Sequence, residues 1–86
     1  MAEFRWNELK SARLKRTRGV SFEEAAEWRV IDIVEHPTRP EQRIVLFERN
    51  RYIWVSPCIQ EGDVVFLKTL YPSRKYTRLY RQGAFR

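Results

Sequence analysis

Cationic side chains collect near the two ends of the chain, where they could bind a ligand rich in phosphate. Residues 9–19 carry several bases and no acid, and residues 68–86 repeat that pattern. Aromatic rings beside Arg and Lys are a common platform for stacking unpaired bases, and the C-terminal segment interleaves its bases with Tyr71, Tyr76 and Tyr80. The pattern predicts binding to nucleic acid or to another acidic partner. A merely solvated surface is the alternative.

The chain of 86 residues has 17 Lys and Arg against 11 Asp and Glu, a formal net charge of +6. This length fits one domain, residues 1–86, and excludes a multidomain enzyme. Cys58 is the single cysteine and His36 the single histidine, so neither an internal disulfide nor the usual zinc ligand set can form. The sequence has no apolar run of ~18 residues and no apolar core of a secretory signal near its start. We therefore expect a cytoplasmic protein with no membrane partner and no metal or other cofactor.

Two helices are predicted near the N-terminus. A short strand or extended segment at 3–6 precedes Asn7, a typical N-cap residue, and the helix that starts at residue 8 ends at Gly19, a typical C-terminal cap. A second helix begins at Ser21, because Ser21 and Glu24 have the spacing of a capping box, in which each side chain bonds the other residue's backbone amide. The apolar face of this helix would run to residue 28.

The rest of the chain is predicted to form strands and one further helix. The predicted strands are 30–35, 43–48, 51–59 and 64–70, and a short basic helix follows at 73–81. Strands joined by short turns pair antiparallel, and grouped helices cover a face of such a sheet. The expected fold class is α+β, with two N-terminal helices, a four-stranded antiparallel sheet and a short C-terminal helix.

Three short runs resemble motifs of one known family. The run F-R-W-N-E-L-K covers residues 4–10, G-V-S-F-E-E-A covers residues 19–25, and P-S-R-K covers residues 72–75. These runs resemble the N-terminal and C-terminal motifs of BrnT-like toxins, which are similar to RelE-type toxins. Residues 26–67 match that family only in their pattern.

The resemblance implies a RelE/BrnT-like fold and the toxin component of a type II toxin–antitoxin system. Such a toxin is a cytoplasmic, metal-independent endoribonuclease whose substrate is RNA, either free or as mRNA on the ribosome. The resemblance also implies a ribbon-helix-helix antitoxin that neutralises the toxin in a hetero-oligomer, with operator DNA bound only through that complex. It further implies that Lys10 contacts RNA; an ordinary lysine on the surface of the helix is the alternative.

Two positions depart from the family pattern. Arg18 stands where the family usually places a histidine before the glycine, and Lys68 stands where arginine is usual in the last strand. Lysine is a point charge rather than a planar fork, so Lys68 would lose the bidentate grip that arginine has on a phosphate.

Metal-independent cleavage of RNA needs several chemical roles. The 2′-hydroxyl attacks the adjacent phosphate and leaves a 2′,3′-cyclic phosphate, so cations must stabilise the charge on the phosphoryl oxygens while other groups accept and supply a proton. Lys68, Arg74 and Lys75 are the predicted catalytic cations, since the end of the last strand and the first turn of the following helix would project them near one another. His36 is the predicted proton-transfer group, since its intrinsic pKa suits that role; an ordinary loop residue is the alternative.

Arg78, Tyr80 and Arg81 are predicted to bind RNA together with Lys10. Arg74 and Arg78 are four residues apart and share a helix face, which Arg81 continues. The alternatives are an exposed solubilising face for the arginines and packing against the sheet for Tyr80.

A second class of function stays open on the sequence. The same basic ends would also suit a noncatalytic module that binds nucleic acid, or one that binds the antitoxin and acts as a co-repressor subunit. A binding module predicts salt-sensitive binding with the RNA left intact, whereas a toxin predicts cleavage that survives a chelator.

Overall fold

The computed structural model describes residues 3–85 and consists of three helices and one sheet. None of the helices at 3–85 has the length and apolar character that a membrane span requires. In chain order the elements are β1 (Glu3–Arg5), α1 (Glu8–Arg18), α2 (Phe22–Ala25), β2 (Arg29–Glu35), β3 (Arg43–Arg49), β4 (Tyr52–Glu61), β5 (Val64–Leu67), β6 (Tyr71–Pro72) and α3 (Arg74–Arg81).

The sheet is mixed and has six strands. Its order is β1-β5-β4-β3-β2, with β6 paired to β4 beyond the end of β5. Successive strands from β2 to β5 pair antiparallel, whereas β1 runs parallel to β5 with Phe4 opposite Val65. The fold is α+β, but the expected four-stranded antiparallel sheet with two N-terminal helices is wrong. The extended N-terminal segment adds a parallel edge strand. The last predicted strand, 64–70, ends at Leu67, and β6 lies beyond the predicted range.

A β-bulge separates β5 from β6. Between the flanking pairs, β4 contributes Ser56 and Pro57, whereas the opposite segment contributes Lys68, Thr69 and Leu70, one residue more. The Pro57 carbonyl accepts a hydrogen bond of 2.9 Å from the Lys68 amide. The nitrogen of Pro57 faces the same side and has no hydrogen to donate, so the regular ladder stops here. The interruption is caused by Pro57 of β4, so the alternation of apolar residues within 64–70 could not have predicted it.

Apolar side chains fill both faces of the sheet. On one face, under α1 and α2, the buried core consists of Leu14, Val20, Phe22, Ala25, Val45, Phe47, Cys58, Val65, Leu67 and Leu70. On the other face, α3 and the residues after it place three aromatic rings over a smaller core, which consists of Ile44, Leu46, Ile53 and Val55. Burial raises the pKa of the Cys58 thiol, so this cysteine is a core residue rather than a nucleophile.

The contact between α1 and α2 is made by a buried hydroxyl. The Ser11 hydroxyl accepts a hydrogen bond of 2.9 Å from the Phe22 amide and donates one to the Glu23 carboxylate. Ser21 and Glu24 form the capping box expected from the sequence. The helix that follows is a single turn ending at Ala25, not a helix that continues to residue 28.

Candidate nucleic-acid interface

Helix α3 is held on the sheet by the backbone of one residue of β4. Strand β6 ends at Pro72, so Ile53 lacks a strand neighbour on that side. The Ile53 carbonyl accepts a hydrogen bond of 2.9 Å from the Ser73 amide, and the Ile53 amide donates one of 2.9 Å to the Thr77 hydroxyl. Ser73 also caps the helix by accepting a hydrogen bond of 3.1 Å from the Tyr76 amide. The exposed side of α3 therefore has a fixed position relative to β4.

The predicted arginines of α3 line one groove, which we name the α3 groove. It has a volume of about 300 Å³ and is lined by Tyr52, Arg74, Thr77, Arg78, Arg81 and Gln82. The spacing of four and three residues puts the three arginines along one side of the helix. No carboxylate belongs to the lining, and within residues 3–85 no ion pair engages these three guanidinium groups. Their charge is therefore available to an anionic ligand.

Arg81 also lines a second cleft, which we name the arginine cleft. This cleft has a volume of about 520 Å³ and is lined by Arg29, Arg51, Tyr80, Arg81 and Phe85. The α3 groove and the arginine cleft are therefore adjacent and share one guanidinium group. Arg81 was predicted to bind RNA, and its place between two cationic depressions suits that role.

Tyr80 both packs on the sheet and lines the arginine cleft. Its ring packs on the smaller core, and its hydroxyl donates a hydrogen bond of 2.9 Å to the Glu48 carboxylate. This hydrogen bond to Glu48 raises the pKa of Tyr80, because ionising the phenol would remove the donor. The same side chain lines the arginine cleft.

Sequence reasoning missed six residues of these two depressions. Two of them, Thr77 and Gln82, lie in α3 or directly after it, and the other four lie outside that helix. Tyr52, Arg29, Arg51 and Phe85 lie at strand ends, in a turn and beyond the last helix. Arg29, Arg51 and Tyr52 are far along the chain from the arginines of α3, and Phe85 follows that helix. Only the sheet register and the docking of α3 bring these residues together, and no spacing along the sequence carries that signal.

The predicted residues Lys10 and Lys68 meet in a different place. With Asn7, Leu9, Arg13, Phe66 and Leu67 they line a cleft of about 430 Å³ between α1 and β5, which we name the α1 cleft. Lys68 is the first residue of the β-bulge, and Lys10 lies in the first turn of α1. Neither lysine lines the α3 groove, so the structure separates Lys68 from Arg74.

Arg18 connects two distant parts of the chain. Its guanidinium donates a hydrogen bond to the Leu70 carbonyl in the bulge and lies 5.9 Å from the centroid of the Tyr71 ring. These contacts connect the C-terminal end of α1 to the segment between β5 and β6. A cation over an aromatic face stabilises such a contact.

The remaining predicted catalytic residues do not join the α3 groove. The Lys75 ammonium lies 5.4 Å from the centroid of the Tyr76 ring. The His36 Nδ1 atom accepts hydrogen bonds of 3.2 and 3.1 Å from the amides of Thr38 and Arg39, so it organises its own loop. His36 follows the far end of β2, roughly 20 Å along that strand from the arginine cleft at a rise of ~3.3 Å per residue.

Together these features define an α+β domain with two adjoining cationic depressions beside an aromatic-rich helix. Comparison with known proteins finds no matching family model, no matching curated protein and no matching solved structure.

The chemistry open to the α3 groove follows from its side chains. Guanidinium groups form paired, charge-assisted hydrogen bonds with phosphate oxygens. The Tyr52 ring offers a stacking surface, and its hydroxyl offers a hydrogen bond to a ribose. The arrangement can hold a phosphodiester and stabilise negative charge that develops on it.

Proposed function

We propose that this chain is the cytoplasmic toxin of a type II toxin–antitoxin system and that it binds and cleaves single-stranded RNA in the α3 groove. The observation that carries the proposal is the alignment of Arg74, Arg78 and Arg81 beside Tyr52, with no carboxylate in the lining. The phosphates of an RNA backbone would pair with these arginines, which have no acidic partner in the described residues. The unpaired bases would stack on the tyrosine ring. The resemblance of residues 4–25 and 72–75 to BrnT-like toxins supports the same conclusion.

In this proposal the arginines act as electrostatic catalysts. The 2′-hydroxyl of the bound RNA gives its proton to water and attacks the adjacent phosphorus, and the bond from phosphorus to the 5′ oxygen breaks. The leaving 5′ oxygen takes a proton from water, and a 2′,3′-cyclic phosphate remains. Negative charge builds on the non-bridging oxygens during this step, and preorganised guanidinium groups stabilise it. We assign this role to Arg74 and Arg78, with Arg81 holding the strand. Lys68 and Lys75 contribute to the surrounding field rather than to the reacting phosphate.

The α1 cleft suits the antitoxin that the proposal requires. The side chains of Leu9 and Phe66 are unusually exposed for their type, at 81% and 41%. Lys10, Arg13 and Lys68 line the same cleft. Exposed apolar side chains ringed by one sign of charge are typical of a protein-binding surface. The partner segment would therefore carry apolar and acidic side chains, and we assign it to the ribbon-helix-helix antitoxin, through which operator DNA would also be bound.

The test of the ribonuclease compares single variants, because the structure separates their positions. The purified chain is incubated with end-labelled RNA in EDTA, and the fragments and their 3′ ends are analysed. We expect cyclic-phosphate ends with the wild type and with Arg39→Ala, a charge-matched control in the β2–β3 loop. Arg74→Ala and Arg78→Ala should each lose most of the cleavage, whereas Lys68→Ala should retain it. Intact RNA with folded wild-type protein, both alone and with ribosomes, would contradict the enzyme.

The separation of the candidate residues favours a second function, a noncatalytic binding module. Lys68, Lys75 and His36 lie outside the α3 groove, which therefore holds no histidine and no carboxylate for proton transfer. A module of this kind would bind RNA with a strong salt dependence and leave it intact. The same incubation separates the two functions, because binding without fragments identifies the module.

A further inference from the structure

We propose that the arginine cleft is a second subsite for the same RNA strand, which passes around Arg81 from the α3 groove. This inference rests on the proposed binding of RNA in the α3 groove and adds the path that the strand follows beyond it. The two depressions share the Arg81 side chain. A ligand with regularly spaced phosphates can therefore occupy both without leaving the cationic surface.

The charge of the arginine cleft is largely uncompensated. Glu48 is the acid beside it, and both of its oxygens are already engaged. One oxygen accepts the hydrogen bond of the Tyr80 hydroxyl at 2.9 Å, and the other lies 3.5 Å from the Arg29 guanidinium. The Arg29 side chain is still 72% exposed, so this ion pair leaves most of the guanidinium accessible. Within residues 3–85, neither Arg51 nor Arg81 has an ion-pair partner.

The backbone at Arg51 is a second and independent observation. Asn50 and Arg51 form the two-residue turn between β3 and β4, with φ values of +52° and +66°. A turn of this kind needs left-handed backbone at both positions, and glycine is the usual residue at the second. An arginine there keeps a strained backbone and places a cation at the edge of the cleft. Strain of this sort is concentrated at ligand sites.

The walls of the cleft favour a nucleotide over a simple anion. Tyr80 and Phe85 provide aromatic surface between the arginines, and the volume of about 520 Å³ is in the range of small-molecule sites. Arginines would bind the phosphate, and the aromatic wall would contact an unpaired base. A base in a duplex has no free face for such a contact, so the ligand is a single strand.

The experiment measures binding of fluorescent oligoadenylates of increasing length, made with 2′-O-methyl riboses so that no attacking hydroxyl is present. Arg51→Gly is the main variant, because glycine accepts the left-handed backbone of this position. We expect it to weaken binding of long oligonucleotides about tenfold, the loss typical of one charged hydrogen bond. Binding of the shortest oligonucleotides that fill only the α3 groove should not change. The slope of log affinity against log salt should fall by about 0.7 for the lost phosphate contact.

Arg51→Asn is a second variant that also tolerates this backbone, and it should behave like Arg51→Gly. Arg78→Ala should weaken binding at every length, and Arg39→Ala should match the wild type. If Arg51→Gly and Arg51→Asn match the wild type at every length while Arg78→Ala weakens binding, the second subsite is wrong and the α3 groove stands. If folded wild-type protein binds no oligonucleotide, both proposals fail.

Discussion

The buried hydroxyl of Thr77 accepts a hydrogen bond of 2.9 Å from the backbone amide of Ile53. This contact joins α3 to the part of β4 that β6 does not reach. The three arginines of the α3 groove and Tyr52 belong to the two elements that it joins. The geometry of the candidate site therefore depends on a residue that carries no charge.

Thr77→Val should lower the free energy of unfolding by about 1–3 kcal/mol, because the valine has a similar shape but leaves the buried Ile53 amide without an acceptor. Urea denaturation followed by tryptophan fluorescence measures the change. Thr77→Ser is the matched control and should retain most of the stability, since it keeps the hydroxyl. Equal stability of the wild type and Thr77→Val would show that the amide finds another acceptor.

Arg51→Gly should raise the free energy of unfolding by up to about 1 kcal/mol. A left-handed backbone costs an ordinary residue about 1–2 kcal/mol, and glycine avoids this cost. Glycine also loses more conformational entropy on folding, which cancels about 0.5–1 kcal/mol of the stabilisation. The same variant should bind long single-stranded RNA less well. A stabilised variant that loses affinity would identify the turn as a position selected for binding, whereas a destabilised one would mean that the arginine side chain holds the turn.

Ser11→Ala should destabilise the chain by about 1–3 kcal/mol near neutral pH, because the Phe22 amide loses its buried acceptor. Part of this difference should depend on pH. The hydrogen bond from Ser11 is the main cause that lowers the pKa of Glu23. A carboxylate with a lowered folded pKa adds stability above its unfolded pKa and loses it as the pH falls through the folded one.

The difference in free energy of unfolding between the wild type and Ser11→Ala should therefore become smaller as the pH falls below the ordinary pKa range of a glutamate. The hydrogen bond with Glu23 raises the pKa of Glu8, so the contribution of Glu8 to the free energy of unfolding grows as the pH falls. The free energy of unfolding should therefore be measured against pH in both the wild type and Ser11→Ala. A difference that is constant from neutral to acid pH would mean that Ser11 acts through the Phe22 amide alone.

Leu9→Asp should weaken binding of the antitoxin at least tenfold without slowing RNA cleavage. The substitution places an acid in an exposed apolar position of the α1 cleft, where the proposed partner is itself acidic. Titration calorimetry with the purified antitoxin measures the affinity. Leu9→Ala separates lost apolar contact from added charge, and full affinity in both variants would place the antitoxin elsewhere.

Local signals in the sequence predicted local structure well. The caps at Asn7, Ser21 and Gly19 all form, because each depends on residues within four positions. The sheet was predicted with the wrong number of strands, without the parallel strand β1 at one edge and without β6. The parallel partner of β1 and the division of β5 from β6 depend on residues elsewhere in the chain, including Pro57.

The candidate site also has a part that local sequence predicted and a part that it did not. Arg74, Arg78 and Arg81 share a groove because helical spacing alone puts them on one side. Lys68 was expected near Arg74, since the chain passes directly from one to the other. The bulge instead leaves it beside Lys10 in the α1 cleft. Tertiary contacts, which the local sequence does not encode, decide which cations meet.

The pairing of β1 with β5 also governs the order in which the molecule can form. Glu3 pairs with Val64, 61 positions later in the chain. During synthesis the first strand has no neighbour until Val64–Leu67 has been made, and α3 follows later still. Contacts of such long range form slowly because the intervening loop must close first. A growing chain on the ribosome therefore carries no completed groove until α3 has been made and can pack on β4.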